Sequence, residues 1–238
     1  MTTKIEWTNE TWNPVSGCSP ISEGCQNCYA ERMSKRLAGR FGYSKNEPFQ
    51  ISEHCDKLDL PLQWKKPRKI FVCSMGDIFH RDVSDDYLDR VFTVMNWTPE
   101  HTYQVLTKRP KRMRDFVRDR YKGSCPTNIH FGVTVENQKR LDGRIAALLT
   151  TPAVKRFISC EPLLGPIDFK IGFGISWITS INQIIVGAET GPGKRPMDLD
   201  WARSIRDQCQ AAGVSFFFKK DSEGARELDG RKWEEDPE

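Results

Sequence analysis

Short apolar segments alternate with amphipathic stretches along most of the chain, and this alternation restricts the fold more than any other feature. The apolar segments are nearly continuous and rich in branched and aromatic residues, which is typical of strands covered on both faces. Such strands alternating with helices predict a parallel sheet with helices outside it. The predicted strands are Trp12–Gly17, Lys69–Met75, Thr102–Thr107, His130–Val135, Val154–Cys160, Asn182–Ala188 and Val214–Lys219.

The amphipathic stretches between these strands predict helices. Ser84 is suited to cap one of them, and Gly213 is suited to end the helix over Leu199–Ala212. Further helices are predicted at Lys111–Tyr121 and Asn137–Leu149. An open doubly wound sheet is the competing arrangement, but no glycine-rich phosphate-binding motif follows the first strand. We therefore predict an α/β fold with a full or partial (β/α) barrel of parallel strands and outer helices.

The chain length suits a single domain of this class over residues 1–238. Within that domain we predict an irregular cover segment at 40–68 and an irregular C-terminal tail at 221–238. The first residues lack a basic stretch that leads into an apolar one, and the longest apolar runs are too short to cross a bilayer. We therefore expect a cytoplasmic protein with no membrane partner.

Three of the eight cysteines lie close together after the first predicted strand, and they carry the most specific signal in the chain. Cys18, Cys25 and Cys28 share a loop in which Gly17 and Gly24 supply turns. In a reducing compartment such a group indicates metal chemistry rather than disulfides. Three thiolates match an iron–sulfur cluster with one open iron, which can chelate S-adenosylmethionine (SAM). A structural zinc site and an accidental grouping are the alternatives, but zinc prefers four ligands and no second cysteine pair exists.

The stretches WNPVSGC, GCQNCYAER, SMGDIFH, QVLTKRP, FGVTVEN, SCEPLLGPID, IIVGAETGPGKRPMD, FFFKK and LDGRKW span nearly the whole chain. Through them the sequence resembles a phage and prophage protein family of unknown function that is related to radical SAM enzymes. The resemblance implies a partial barrel of radical SAM type, a cluster loop after the first strand, and reductive cleavage of SAM to a 5′-deoxyadenosyl radical. The chain departs from the usual C-x₃-C-x₂-C spacing, because six residues separate Cys18 from Cys25.

Polar residues follow the predicted strands at their carboxyl ends, where functional groups of parallel sheets lie. The candidates for cofactor or substrate binding are Glu136, Ser159, Glu161 and Glu189. The alternative for each carboxylate is a structural ion pair with Lys108, Arg109 or Arg195.

The resemblance to radical SAM enzymes implies that polar residues after the second strand hold the amino group of SAM. That position is occupied by Ser74 and Asp77 in this chain, although Asp77 is also suited to cap a turn. Tyr29 follows the third cysteine and is expected to pack on adenine or to anchor the loop.

Two further groups have both a functional and an ordinary interpretation. Cys160 ends the fifth predicted strand and is a candidate hydrogen-atom donor, but free cysteines are most often buried core residues. The basic helix after the third strand offers Arg114, Arg118 and Lys122 as phosphate contacts for a nucleic acid. Asp115 and Asp119 interrupt this patch and favour an ordinary solvated surface.

Together these features predict an iron–sulfur protein that acts as a radical SAM enzyme, with a [4Fe–4S] cluster and SAM as cofactors. Its electron donor is expected to be a flavodoxin or a ferredoxin, and its substrate a nucleic acid or nucleotide. The alternative is a non-catalytic binding protein in which the same three cysteines hold a structural cluster or zinc.

Overall fold

A computed structural model describes residues 3, 5–170 and 177–237 of the chain. Seven parallel strands form one curled sheet, a half-barrel, in the spatial order β1-β4-β5-β6-β7-β8-β9. The expectation of a parallel barrel is thus confirmed in its partial form. The strands of this sheet are β1 (Glu10–Trp12), β4 (Lys69–Val72), β5 (Thr102–Thr107), β6 (Ile129–Thr134), β7 (Lys155–Cys160), β8 (Gln183–Gly187) and β9 (Ser215–Lys220).

The helices follow the strands and cover the outer face of the sheet. As predicted, Ser84 caps a helix, and Gly213 ends another in the left-handed conformation. The helices are α1 (Tyr29–Arg36), α2 (Cys55–Leu58), α3 (Asp85–Trp97), α4 (Pro110–Tyr121), α5 (Gln138–Leu149) and α6 (Leu199–Ala212). No helix in the described part of the chain has the length and apolar character needed to cross a bilayer.

The first predicted strand is wrong in its extent, because the chain turns at Asn13 and Pro14. Proline has no backbone donor for a sheet ladder, so the strand in the main sheet ends before it. The residues that follow form β2 (Val15–Ser16), which pairs antiparallel with β3 (Ser52–Glu53) of the segment 40–68. This segment therefore braces the chain just ahead of the cysteines.

Side chains of the strands alternate between two apolar clusters, as the period of a strand requires. On β8, Ile184 and Val186 pack in the large cluster with the helices, whereas Ile185 points to the inner face. The inner cluster is small and mostly aromatic, and Phe157 lies in it directly over Gly132. A Cβ at position 132 would lie 2.5 Å from that ring, so the glycine makes room for it. This cluster consists of Trp7, Phe71, Phe157, Ile185 and Phe217.

The tail after β9 packs against the edge of the sheet. Leu228 and Trp233 are buried in the large cluster, and the backbone N–H of Phe218 donates to the carbonyl of Trp233 at 2.8 Å. A single antiparallel bridge joins Phe217 to Glu234. The tail thus covers an edge strand that would otherwise expose unpaired backbone groups.

Candidate functional site

The three predicted cysteines share one cavity, which we call the thiol cavity. Its volume is about 390 Å³, and Cys18, Cys25 and Cys28 all line it as free thiols. The loop that carries them starts at Gly17, which has a φ of +90° and lies against the backbone of Gln50. A side chain at Gly17 would collide with that backbone, so the loop can leave the strand here only through a glycine.

The chemistry of the donor set fits an iron–sulfur cluster. Within the described residues, no group of three or more His, Cys, Asp or Glu side chains is placed around a point that could hold one metal ion. A cluster binds each thiolate to a different iron, so its ligands do not have to meet at one point as zinc ligands do. Burial raises the pKa of Cys18 to about 11, and the Asp77 carboxylate adds to this increase while Arg109 opposes it.

The second cysteine has a different electrostatic setting. Burial acts to raise the pKa of Cys25, but a hydrogen bond to the backbone of Ile21 and the charge of Lys108 outweigh it. The hydroxyl of Ser22 adds a contact to the Cys25 sulfur at 3.6 Å. The pKa of Cys25 is therefore below its usual value, which favours the thiolate that metals bind.

Arg109, directly after β5, fixes the first cysteine of the loop. Its Nη1 donates to the Cys18 sulfur at 3.3 Å, and its Nη2 donates to the Ser19 carbonyl at 2.9 Å. Nη1 also donates to Asp77 Oδ2 at 3.0 Å. Asp77 thus holds Arg109, and Arg109 holds Cys18.

Asp77 was predicted to bind SAM, and in the structure its carboxylate is engaged by protein donors at the wall of the thiol cavity. Its Oδ1 accepts from the Thr107 hydroxyl at 2.7 Å and from the Phe79 N–H at 3.0 Å. Its Oδ2 accepts from the Lys108 N–H and from Arg109. Both oxygens of this buried carboxylate therefore already have two protein donors each, which leaves little capacity for a ligand ammonium.

Two other arginines clamp the middle of the cysteine loop. Arg140 at the start of α5 binds Glu23 through its Nε at 2.9 Å and its Nη2 at 2.5 Å. This contact lowers the pKa of Glu23 to about 2. Arg195, which follows β8, donates to the Glu23 carbonyl at 2.9 Å and to Gln26 Oε1 at 3.3 Å. Arginines that follow three different strands thus hold one loop, which fixes the positions of its thiols.

Glu189 was predicted as a ligand-binding carboxylate, and it lines the thiol cavity. Its oxygens accept from the Arg195 side chain and backbone and from Asn27 Nδ2 at 2.9 Å. Burial acts to raise the pKa of Glu189, but these donors lower it to about 2. Since Asn27 precedes the third cysteine, Glu189 also holds the loop.

Glu136 was predicted as a binding carboxylate, and it lies behind the cysteine loop rather than among the residues that line the thiol cavity. It is fully buried and accepts from Ser22 Oγ at 2.5 Å and from Arg144 at 2.8 Å. Lys108 Nζ is 3.7 Å from its Oε1. A Cβ at Gly24 would lie 2.5 Å from Glu136 Oε1, so the loop packs directly on this carboxylate.

Glu161 differs from the other three carboxylates because one of its oxygens is weakly engaged. Oε2 accepts from Lys219 Nζ at 2.5 Å, whereas among the described residues Oε1 accepts only from the Ser159 hydroxyl at 3.3 Å. Burial acts to lower the pKa of Lys219, but Glu161 raises it above its usual value, which favours the charged ammonium of Lys219. Glu161, Ser159 and Lys219 all line the thiol cavity, on strands far from the cysteine loop in sequence.

Ser74 and Tyr29 also line the thiol cavity. The Ser74 hydroxyl donates to Asn13 Oδ1 at 3.2 Å, and the Tyr29 hydroxyl donates to the Ser74 carbonyl. Tyr29 is 44% exposed, so its ring remains accessible from the cavity. Both residues therefore stay in the candidate site, with their polar groups bonded to the protein.

The structure does not place Cys160 at the cavity. Ser159 lines the thiol cavity, and the next residue along β7 points to the opposite face of the sheet. Cys160 is fully buried there in the large cluster with the helices. A hydrogen-donor role for Cys160 has no support from this position, and the ordinary core interpretation fits it.

The predicted phosphate contacts on α4 are largely neutralised by their neighbours. Arg114 pairs with Asp115 at 2.8 Å, and Arg118 lies 3.4 Å from Asp119 and 3.7 Å from Asp115. Lys122 lies beyond the end of the helix. The half of α4 that carries them is thus an ordinary mixed-charge surface.

Fold and site together define an α/β half-barrel protein whose three-cysteine loop lies at the carboxyl ends of the parallel strands. Comparison with known families matches residues 2–237 to the family described as "Protein of unknown function (DUF5131)". Because the match covers nearly the whole chain, the protein belongs to this family. Neither the curated proteins nor the solved structures give a match to it.

Proposed function

We propose that the protein is a radical SAM enzyme that holds a [4Fe–4S] cluster through Cys18, Cys25 and Cys28. The observation that supports this most strongly is that three free thiols of one loop line a single cavity at the carboxyl ends of a parallel half-barrel. Three thiolates leave one iron of such a cluster without a protein ligand. The proposal includes the relationship to radical SAM enzymes and to phage proteins that the sequence motifs imply.

When bound, the cluster supplies one electron that breaks the sulfur–C5′ bond of SAM, releasing methionine and a 5′-deoxyadenosyl radical that takes a hydrogen atom from a substrate. The work of the chain is to position these partners. The six-residue gap between Cys18 and Cys25 folds through a 3₁₀ turn at Glu23–Cys25, which Arg140 and Arg195 hold. The unusual spacing is therefore compatible with a fixed loop.

The cavity wall has groups suited to the remaining parts of SAM. Glu161 has the acceptor capacity that Asp77 lacks, so we assign to it the ammonium group or the ribose hydroxyls. The exposed ring of Tyr29 and the apolar side chains of Trp7 and Leu106 line the same cavity and suit the adenine. An external flavodoxin or ferredoxin is the electron donor in this proposal.

Product analysis of SAM tests the function. Anaerobically reconstituted protein, reduced with dithionite and incubated with SAM, should form 5′-deoxyadenosine and methionine, measured by liquid chromatography with mass spectrometry. The Glu161→Gln variant should keep its iron but bind SAM roughly tenfold to a hundredfold more weakly, since it loses a charged acceptor. Asp142→Asn is the matched control, because Asp142 is exposed on α5 away from the cavity.

The outcome also separates the catalytic from the non-catalytic alternative. A protein that binds iron and SAM but never forms 5′-deoxyadenosine would be a binding protein with a structural cluster. A Glu161→Gln variant with unchanged affinity for SAM would contradict the assignment of that carboxylate.

A further inference from the structure

A second cavity, of about 410 Å³, adjoins the cysteine loop, and we call it the basic groove. It lies between the first turns of α4 and α5, and Ile21 of the cysteine loop lines it. Lys108 lines both the basic groove and the thiol cavity, so the two are neighbours. A ligand in the groove is therefore close to the proposed reaction site.

The side chains that line the basic groove are strongly cationic. Eight of its lining residues are lysine or arginine, and no carboxylate is among the described residues that line it. Five carboxylates around the groove form ion pairs with six of these cations, because Glu136 pairs with both Lys108 and Arg144. The cations are Arg81, Lys108, Arg109, Lys111, Arg112, Lys139, Arg140 and Arg144.

The remaining two cations have no such partner. Lys111 and Lys139 are exposed, and no carboxylate in the described part of the chain lies within 4 Å of their ammonium groups. They come from the first turns of two helices, whose positive ends add to the field in the groove. Eight cations against five carboxylates leave a local surplus of three positive charges, which favours a ligand with several negative charges in a row.

We propose that the basic groove binds the phosphate backbone of a nucleic-acid strand and thereby presents one nucleotide to the thiol cavity. The use of the bound strand rests on the proposed function, but the binding itself does not. Arg109 and Arg140 are paired with Asp77 and Glu23, so they form the wall of the groove and leave the phosphate contacts to the unpaired lysines. The mobile ammonium groups of Lys111 and Lys139 add contacts that release counterions.

An acidic electron-carrier protein is the other polyanion of suitable charge. The groove is concave and shares Lys108 with the neighbouring thiol cavity, so a thin strand fits it better than the convex surface of a protein does.

A salt titration of oligonucleotide binding tests this inference. The probe is a short fluorescein-labelled single-stranded DNA of mixed sequence, measured by fluorescence anisotropy with the anaerobic full-length protein. Relative to wild type, the double variant Lys111→Ala/Lys139→Ala should flatten the slope of log K against log salt by about 1.4, since each lost contact accounts for about 0.7 on a single strand. At 0.1 M salt its affinity should fall on the order of 25-fold.

The matched control is Lys65→Ala/Lys66→Ala, which changes the net charge equally. Lys65 and Lys66 are exposed and precede β4, so they lie at the amino ends of the strands, away from the groove. This control should keep the wild-type slope. Equal slopes for the two double variants would overturn the inference, and so would a groove variant that loses only the binding of an acidic flavodoxin.

The iron content of each variant is measured in parallel. Because the groove lysines do not touch the thiols, iron should stay at the wild-type level. A protein without iron that still gives the predicted slopes would refute the proposed function and leave the groove assignment intact.

Discussion

The thiol cavity and the basic groove adjoin the same loop but have opposite chemical character. The thiol cavity combines free thiols, four carboxylates, three lysines and an aromatic wall, whereas every charged side chain among the described residues that line the groove is a cation. The difference fits the two proposals, in which the thiol cavity performs the chemistry and the groove binds the substrate. Substitutions at residues that serve only one cavity should therefore change one property and leave the other unchanged.

The largest expected effect is a loss of iron that leaves oligonucleotide binding unchanged. Replacing Cys25 by Ala removes one of three cluster ligands, so the variant should lose essentially all its iron when purified anaerobically. Its salt slope for the oligonucleotide should equal that of wild type. Cys55→Ala is the matched control, because Cys55 is an exposed free thiol outside the loop, and it should retain iron. Retention of iron by the Cys25 variant would show that the loop is not the metal site.

The next effect concerns the clamp that holds the loop. Glu189 has a pKa of about 2 in the folded protein, against its usual value of about 4.5. A carboxylate with a lowered pKa stabilises the fold above pH 4.5, and this contribution is lost as the pH falls toward 2. The Glu189→Gln substitution should therefore lower the free energy of unfolding by about 2–3 kcal/mol at pH 7, measured by urea denaturation.

Between pH 7 and pH 3, the free energy of unfolding of the same variant should fall less than that of wild type, because the variant has no carboxylate at position 189 to protonate. Asp142→Asn, at an exposed position on α5, should follow the wild-type curve. Parallel pH curves for wild type and Glu189→Gln would contradict the proposed clamp.

A smaller effect tests the hydrogen bond from Arg109 to Cys18. A cationic donor at a cluster thiolate favours the reduced and more negative state. Arg109→Gln should therefore lower the midpoint potential on the order of 50 mV, if the bond differs by about 1 kcal/mol between the two states. Redox titration followed by electron paramagnetic resonance measures this shift, and Arg109→Lys should recover part of it.

Arg114→Gln is the control for this measurement, because Arg114 lies on α4, shortly after Arg109 in the chain, and pairs with Asp115. Its potential should equal that of wild type. A similar shift in both variants would mean that Arg109 acts only through the overall charge.

The smallest effect is expected outside both cavities. Arg114 and Arg118 are paired with Asp115 and Asp119, so their phosphate affinity is already compensated within α4. The double variant Arg114→Ala/Arg118→Ala should leave the salt slope of oligonucleotide binding unchanged. A slope reduced as far as in the Lys111/Lys139 variant would show that the nucleic acid binds this half of α4 and not the groove.

These two halves of α4 show what sequence could and could not predict. The alternation of apolar and amphipathic segments predicts the strands and their parallel direction, because that pattern is local. The sequence alone predicts a single basic patch over 108–122. Only the fold divides it, since Lys108, Arg109 and Lys111 face α5 across the groove while Arg114 and Arg118 lie beside Asp115 and Asp119.

The candidate site was predictable to a similar degree. The thiols were identifiable because they share one loop, and their common cavity follows from the position of that loop at the strand ends. Ion pairs with Lys108 and Arg195 were among the alternatives for the carboxylates, and Glu136 and Glu189 form them. Which carboxylate has which partner was not identifiable, because most partners come from neighbouring strands. Asp77 accepts hydrogen bonds from Thr107 on β5 and from Arg109 in the loop after it. Glu161 accepts one from Lys219 on β9. Arginines placed directly after strands were the only available signal for the clamps.

The most direct test of the central claim is the elemental content of the wild-type protein. The account predicts that anaerobically purified and reconstituted protein contains about four irons and four sulfides per chain, as a [4Fe–4S] cluster requires, and absorbs near ~400 nm. Inductively coupled plasma mass spectrometry and sulfide analysis provide these values. One zinc per chain with no iron would contradict the account, because it would assign the three cysteines to a structural metal.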